Sequence, residues 1–169
     1  MSSKIIAFAI NAHQQVNHLY DNYPYSLHLS MVAMYAQKYI NIIPSQFQEV
    51  VLNACWLHDT IEDCRLTYND VRDIAGDKVA DIVYAVSNEK GKTRKERANE
   101  NYYKGICNTP YATFVKLCDR LANVKYSQEN NSMMLLVYKK ENENFVKSLF
   151  LNENDIYKEM IVELSSMFA

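Results

Sequence analysis

Residues 54–64 of this chain read ACWLHDTIEDC, an apolar run that ends in a histidine–aspartate pair and two further carboxylates. Asp59 precedes Glu62 and Asp63 by three and four residues, so in a continuous helix all three carboxylates would share one face. Carboxylates crowded beside an imidazole repel one another unless a positive charge lies among them, and a divalent metal is the simplest such charge. The alternative is a solvated, charged helix end, against which the apolar residues directly upstream argue.

The composition predicts one mostly helical domain. The chain has 169 residues, of which 49% are apolar, and only three glycines and three prolines. With a formal net charge of −2, the chain has no strong positive potential of the kind that nucleic-acid binders show. No apolar run is long enough to span a bilayer. The four cysteines form no C-x-x-C pair, which favours reduced thiols. We therefore expect a cytoplasmic protein that binds neither nucleic acid nor membrane.

Two further helices are predicted to carry polar residues on buried faces. His28 falls in the first turn of a helix whose apolar residues follow at helical spacing. Asp119 lies inside a nearly all-apolar helix, where Lys116 and Asn123 share its face. A carboxylate in such surroundings needs a cation as partner. Lys116 or Arg120 would supply that charge, and a metal ion is the other candidate.

Two other segments contain candidate ligand-binding residues. Tyr20 and Tyr25 belong to the tyrosine-rich loop 19–25, which would either line a pocket for a planar base or pack the loop on to the domain. Residues 87–99 mix basic and acidic side chains, as a solvated helix face does. The functional alternative is that the basic side chains of this segment bind phosphate groups of a substrate. The candidate residues are Lys92, Arg94, Lys95 and Arg97.

The C-terminal part has no motif with chemical spacing. The core of the domain is predicted at about residues 5–150, and a last helix at about 153–168, after a turn near Asn152. We interpret these final helices as packing elements or as the contact of a homo-oligomer.

The order of His28, His58-Asp59 and Asp119 resembles the pattern that defines the HD phosphohydrolase superfamily. The flanking sequences PYSLH at 24–28, WLHDTIED at 56–63 and VKLCDRLAN at 115–123 are similar to those of the hydrolase domain of RelA/SpoT-type alarmone enzymes. The similarity spans roughly residues 5–150. It implies an all-α, single-domain helical bundle of the HD type with a central metal site.

The resemblance also implies roles for individual residues. One divalent metal, most often Mn²⁺ in that family, would be held by His28, His58, Asp59 and Asp119. Glu62 and Asp63 match the acidic pair that handles the attacking water. Together with the residues proposed above, the candidate substrate contacts are Tyr20, Tyr25, Lys92, Arg94, Arg97, Lys116, Arg120 and Asn123.

One departure from the family concerns the substrate. An arginine–lysine pair that clamps the guanine nucleotide is replaced, counting back from His28, by Leu19 and Tyr20. We expect hydrolysis of a nucleotide phosphate ester, first of all removal of the 3′-pyrophosphate of (p)ppGpp. Hydrolysis of a nucleoside monophosphate or of NADPH, and a non-catalytic nucleotide-binding module, are the alternatives. The intact pair Glu62 and Asp63 favours an enzyme.

Overall fold

The structure is a computed structural model that describes residues 3–87, 91–149 and 156–169. In these ranges the chain is almost entirely helical, which confirms the predicted all-α class. The helices are Ser3–Gln15 (α1), Ser26–Tyr39 (α2), Ser45–Leu57 (α3), Thr60–Asp63 (α4), Tyr68–Ala75 (α5), Asp77–Val86 (α6), Arg94–Arg97 (α7), Glu100–Asn108 (α8), Ala112–Glu129 (α9), Met134–Ser148 (α10) and Lys158–Ser166 (α11). Glu89 and Lys90 of the charged segment and the predicted turn near Asn152 lie outside the described residues.

Helix α9 is the centre of the bundle. It packs against α2, α3, α6, α8, α10 and α11, which surround it on most sides. Its apolar residues, among them Phe114, Leu117 and Leu121, are fully buried, as expected for a helix that is hydrophobic all round. Asp119 lies in the middle of this helix and is therefore drawn into the interior, with 8% of its surface exposed.

Helix α3 ends at Leu57, so the helix does not continue through Asp63, and Asp59, Glu62 and Asp63 do not share one face of a single helix. His58 Nδ1 donates a hydrogen bond to the Cys55 carbonyl at 2.9 Å, and Thr60 Oγ1 donates to the Leu57 carbonyl at 2.6 Å. These side chains satisfy carbonyl groups near the end of α3 that lack partners once the helix stops. Asp59 consequently lies in the turn between α3 and α4, at φ −98° and ψ 0°.

A short hairpin connects α1 to α2, where the sequence predicts a loop. Strand β1 (Leu19–Tyr20) pairs antiparallel with strand β2 (Tyr23–Pro24), and Leu19 lies opposite Pro24. Alternation along β1 leaves the Leu19 side chain 55% exposed and turns Tyr20 toward the bundle. None of the helices in the described residues is long and apolar enough to cross a bilayer.

Candidate active site

Two buried imidazoles meet between α2 and α3. His28 comes from the first turn of α2 and His58 follows the last residue of α3. Their Nε2 atoms are 3.3 Å apart, and the two residues are only 1% and 2% exposed. Because His58 Nδ1 carries the hydrogen that it donates to the Cys55 carbonyl, deprotonation of the ring would give the tautomer whose Nε2 lone pair faces His28. That tautomer is the one a metal-ligating histidine needs.

Two carboxylates complete the cluster. Asp119 Oδ1 lies 3.4 Å from His28 Nε2 and 3.8 Å from His58 Nε2. Asp59 Oδ2 lies 2.9 Å from His58 Nε2 and 3.5 Å from His28 Nε2. One ligand atom each from His28, His58 and Asp119 lies within 4.8 Å of the others, so this set is compact enough to hold one metal ion. Two imidazole nitrogens with carboxylate oxygens suit Mn²⁺, Fe²⁺ or Zn²⁺.

The charges in this cluster stabilise one another. Burial alone would lower the pKa of the His58 imidazole, but Asp59 and Asp119 more than offset it and the pKa lies well above the ordinary value. Burial alone would raise the pKa of Asp119, but Lys116 and the two imidazoles hold it well below the ordinary value. Buried acids and bases that shift one another's pKa values in this way are typical of a functional site.

Of the three cations that the sequence left open for Asp119, the structure pairs Lys116 with it and leaves its second oxygen facing a candidate metal site, whereas Arg120 pairs elsewhere. Lys116 Nζ donates to Asp119 Oδ2 at 2.8 Å, which is the ion pair expected from their spacing. Asp119 Oδ1 instead faces the imidazoles and accepts a 2.5 Å hydrogen bond from Asn123 Nδ2. One oxygen is therefore neutralised by lysine, while the other faces His28 and His58. Arg120 pairs with Glu141 and not with Asp119.

The acidic pair Glu62 and Asp63 lines the same cavity as His28, Asp59 and Asp119, three of the candidate metal ligands. Both residues come from the short helix α4, which follows Asp59 directly. Burial, together with the charges of Asp59 and Glu62, raises the pKa of Asp63 to about 7. His18 Nδ1, from the segment before the hairpin, lies 3.8 Å from Asp63 Oδ2.

The cavity has a volume of about 610 Å³ and is lined both by candidate metal ligands and by most of the predicted substrate residues. Tyr25, Arg94, Arg97, Lys116, Arg120 and Asn123 all line it. Tyr20 does not: its hydroxyl donates to Asn123 Oδ1 at 2.8 Å and its ring stacks on His28 at 4.8 Å. Lys92 is not among the lining residues either, and its backbone N–H donates to the Glu96 carboxylate. Tyr20 therefore contacts Asn123 and His28 without lining the cavity itself. Lys92 lies outside the cavity.

Several lining residues were not identified from the sequence. Tyr102 and Tyr103 come from α8, and Tyr138, Lys140, Glu141 and Asn144 come from α10. On α10, Tyr138, Glu141 and Asn144 recur at intervals of three, so their side chains share one face of the helix. That spacing was the available signal. It does not by itself distinguish a cavity wall from a solvated face.

Sequence comparison finds relatives for part of the chain. It is 43% identical over 76 residues to a guanosine-3′,5′-bis(diphosphate) 3′-pyrophosphohydrolase of Aquifex aeolicus, covering 43% of this chain and 11% of that protein. It is 35% identical over 85 residues to the Drosophila melanogaster enzyme of the same description, MESH1, covering 48% and 46%. Human MESH1 is 36% identical over 76 residues, covering 45% and 42%. The matches thus span less than half of each relative, and no family model matches the chain.

Structural comparison extends the likeness to nearly the whole chain. A solved structure of a metazoan ortholog of SpoT, described as hydrolysing ppGpp, aligns with a TM-score of 0.70. The alignment covers 99% of this chain and 95% of that one, at 21% sequence identity. The resemblance to the SpoT-type hydrolases is confirmed. Because the alignment covers nearly the whole chain, the likeness in fold includes α2, α3 and α9, on or next to which His28, His58 and Asp119 lie.

Proposed function

We propose that this protein is a metal-dependent phosphohydrolase that removes the 3′-pyrophosphate of (p)ppGpp, releasing pyrophosphate and GDP or GTP. One observation carries the proposal. The buried cluster of His28, His58 and Asp119 opens into a cavity whose wall also holds guanidinium and ammonium groups. A nucleotide with several phosphates needs both features, a metal at the scissile group and cations for the others. The curated relatives named as ppGpp hydrolases support the choice of substrate.

The proposed metal ligands are His28, His58, Asp59 and Asp119, and Mn²⁺ is the proposed ion. A divalent ion bound there would lower the pKa of water and offset charge that develops on the phosphoryl oxygens. Asn123 and Lys116 orient Asp119 through hydrogen bonds of 2.5 and 2.8 Å. Tyr25 orients Asp59 in the same way. Such outer hydrogen bonds keep the ligand oxygens directed at the site.

Glu62 and Asp63 are the proposed catalytic pair. They line the cavity beside the metal cluster, where a carboxylate can orient the attacking water and accept its proton. In the overall reaction the bond between phosphorus and the ribose 3′-oxygen breaks. Water supplies the hydroxyl group to phosphorus, and a proton ends on the 3′-oxygen. Arg94, Arg97 and Arg120 would bind phosphate oxygens that do not react.

Leu19 and Tyr20 favour testing other nucleotides beside ppGpp. Leu19 is 55% exposed and Tyr20 is turned toward Asn123, so neither supplies the cation that clamps guanine nucleotides in the related enzymes. The experiment is a turnover assay with Mn²⁺ in which ppGpp, NADPH and nucleoside monophosphates are tested in parallel. Pyrophosphate release from ppGpp that is lost in Asp119→Ala would support the proposal.

Two other outcomes of that assay would change the proposal. Phosphate release from NADPH or a monophosphate alone would keep the chemistry and reassign the substrate. A protein that binds Mn²⁺ and nucleotide but releases no product would be a non-catalytic binding module. The cytoplasmic location, the single-domain organisation and a homo-oligomer contact stay predictions.

A further inference from the structure

Glu141 lies between two arginines of the cavity wall. Arg94 donates from Nε to Glu141 Oε1 and from Nη2 to Oε2, both at 3.1 Å. Arg120 Nη1 donates to the same Oε2, also at 3.1 Å. The three residues come from α7, α10 and α9, so one carboxylate joins three separate helices at the cavity.

Arg120 depends on this carboxylate because its side chain is only 9% exposed. Its guanidinium carbon lies 4.3 Å from the centre of the Phe145 ring and 4.8 Å from that of Tyr138. A guanidinium that has lost most of its water needs an anion or aromatic faces in exchange. Glu141 supplies the anion, and the two rings hold the guanidinium plane in place.

Arg94 depends on Glu141 for a different reason. Helix α7 has only four residues and none of them is buried, so packing contributes little to its position. The fork between Arg94 and Glu141 connects it to α10, with the guanidinium also 5.6 Å from the Tyr138 ring. Arg94 uses its Nε and Nη2 edge for Glu141, which leaves Nη1 available to a further acceptor.

We propose that Glu141 is a positioning residue for phosphate recognition: it holds Arg94 and Arg120 against the cavity, so that their remaining N–H groups meet a phosphate of the substrate. The inference rests on the proposed function, because it assumes an occupant with several phosphates. Glu141 itself would not contact the reacting atoms. A preorganised fork binds phosphate better because less side-chain entropy is lost when the substrate arrives.

The direction of the change in substrate affinity distinguishes positioning by Glu141 from a purely electrostatic effect of its charge. Glu141→Gln removes one negative charge from the cavity, and charge alone would then strengthen the binding of a polyphosphate. Loss of positioning would weaken it, since glutamine cannot form the charged fork to Arg94. We expect about tenfold weaker binding, the size typical of a lost charge-assisted hydrogen bond.

The test uses the Mn²⁺-loaded protein and four forms of it: wild type, Glu141→Gln, Arg94→Ala and the double variant. KM and kcat are measured for ppGpp, and the Kd of GDP is measured by calorimetry. If Glu141 acts mainly through Arg94, Glu141→Gln weakens GDP about tenfold in the wild-type background and less than about threefold when Arg94 is already absent. KM should rise by a similar factor, with a much smaller change in kcat.

Glu143→Gln is the matched control. Glu143 lies on the same helix and is exposed, so its replacement removes the same charge without touching either arginine. Unchanged or tighter GDP binding by Glu141→Gln would overturn the inference, and an equal loss in the presence and absence of Arg94 would overturn the part of it that concerns Arg94. The proposed function is judged separately. If the wild type turns over no nucleotide but the GDP measurements follow the expected pattern, only the proposed reaction fails.

Discussion

Tyr25 and Asp59 are joined by a 2.5 Å hydrogen bond from the phenolic hydroxyl to Oδ2, although they lie on different segments of the chain. Burial and the Asp59 charge raise the pKa of Tyr25 far above its ordinary value, so the phenol stays protonated and donates. The same ring stacks on His18 at 3.9 Å and on His13 at 4.3 Å. Tyr25 is held in place by stacking on His13 and His18, and its hydroxyl in turn fixes the position of Asp59, a proposed metal ligand.

Replacement of Tyr25 by Phe should weaken metal binding. The ring and its stacking contacts remain, but Asp59 loses the donor that orients it. Loss of such an outer hydrogen bond typically costs about 10-fold to 100-fold in metal affinity. Titration of the metal-free protein with Mn²⁺ measures the change. Tyr84→Phe, which alters an exposed tyrosine on α6, is the control, and equal affinity in all three proteins would contradict the prediction.

Asp119→Asn should abolish tight metal binding. The substitution keeps the shape of the side chain but removes the charge that faces both imidazoles and pairs with Lys116. We expect at least about a 100-fold loss of Mn²⁺ affinity, since both the ligand charge and its balance with Lys116 are lost. Metal content after dialysis, measured by mass spectrometry, decides. Asp73→Asn, an exposed carboxylate on α5, should retain the wild-type content.

The double replacement Glu62→Gln and Asp63→Asn should separate catalysis from metal binding. Neither residue belongs to the cluster of ligand atoms, so the protein should bind Mn²⁺ as the wild type does. Turnover should fall by about 10²-fold to 10⁴-fold, the usual contribution of a general base. Metal content and product release are measured on the same preparation. Turnover near the wild-type rate would refute the role assigned to this pair.

His13 should make the fold sensitive to mild acid. The residue is 1% exposed and its Nδ1 lies 2.9 Å from His18 Nδ1. Burial lowers its pKa to about 4; Asp59 opposes this, while His18, His58 and His28 add to it. Between about pH 6.5 and pH 4 the unfolded chain therefore binds a proton that the native protein does not. The free energy of unfolding should decrease as pH falls through this window.

His13→Phe tests that linkage because the ring stack with Tyr25 can persist without a titratable group. We expect the decrease in unfolding free energy from pH 7 to pH 5 to shrink by about 1 kcal/mol, allowing for solvent screening. Urea unfolding in EDTA at both pH values measures it, because EDTA removes any contribution from metal release. Parallel pH dependence in the two proteins would contradict the assigned pKa.

Local sequence identified the helices that matter and the residues they carry. The apolar surroundings of Asp119 and the spacing of Lys116 and Asn123 predicted both the buried helix and the contacts within one turn, because i, i+3 and i, i+4 neighbours follow from helix geometry. The end of α3 was missed. The helical spacing of the residues continues through Asp59. It does not reveal that the side chains of His58 and Thr60 donate hydrogen bonds to carbonyl groups of α3.

The sequence by itself determined the all-α class and the burial of His28, His58 and Asp119 in the bundle. Only the tertiary structure decided which distant side chains meet. The contacts of Tyr25 with Asp59, of His28 with His58, and of Glu141 with its two arginines each depend on how the helices pack. A residue's neighbours in sequence determine its local conformation and the helix face on which it lies. Its contacts across the bundle are set by packing of whole helix faces, which no short segment contains.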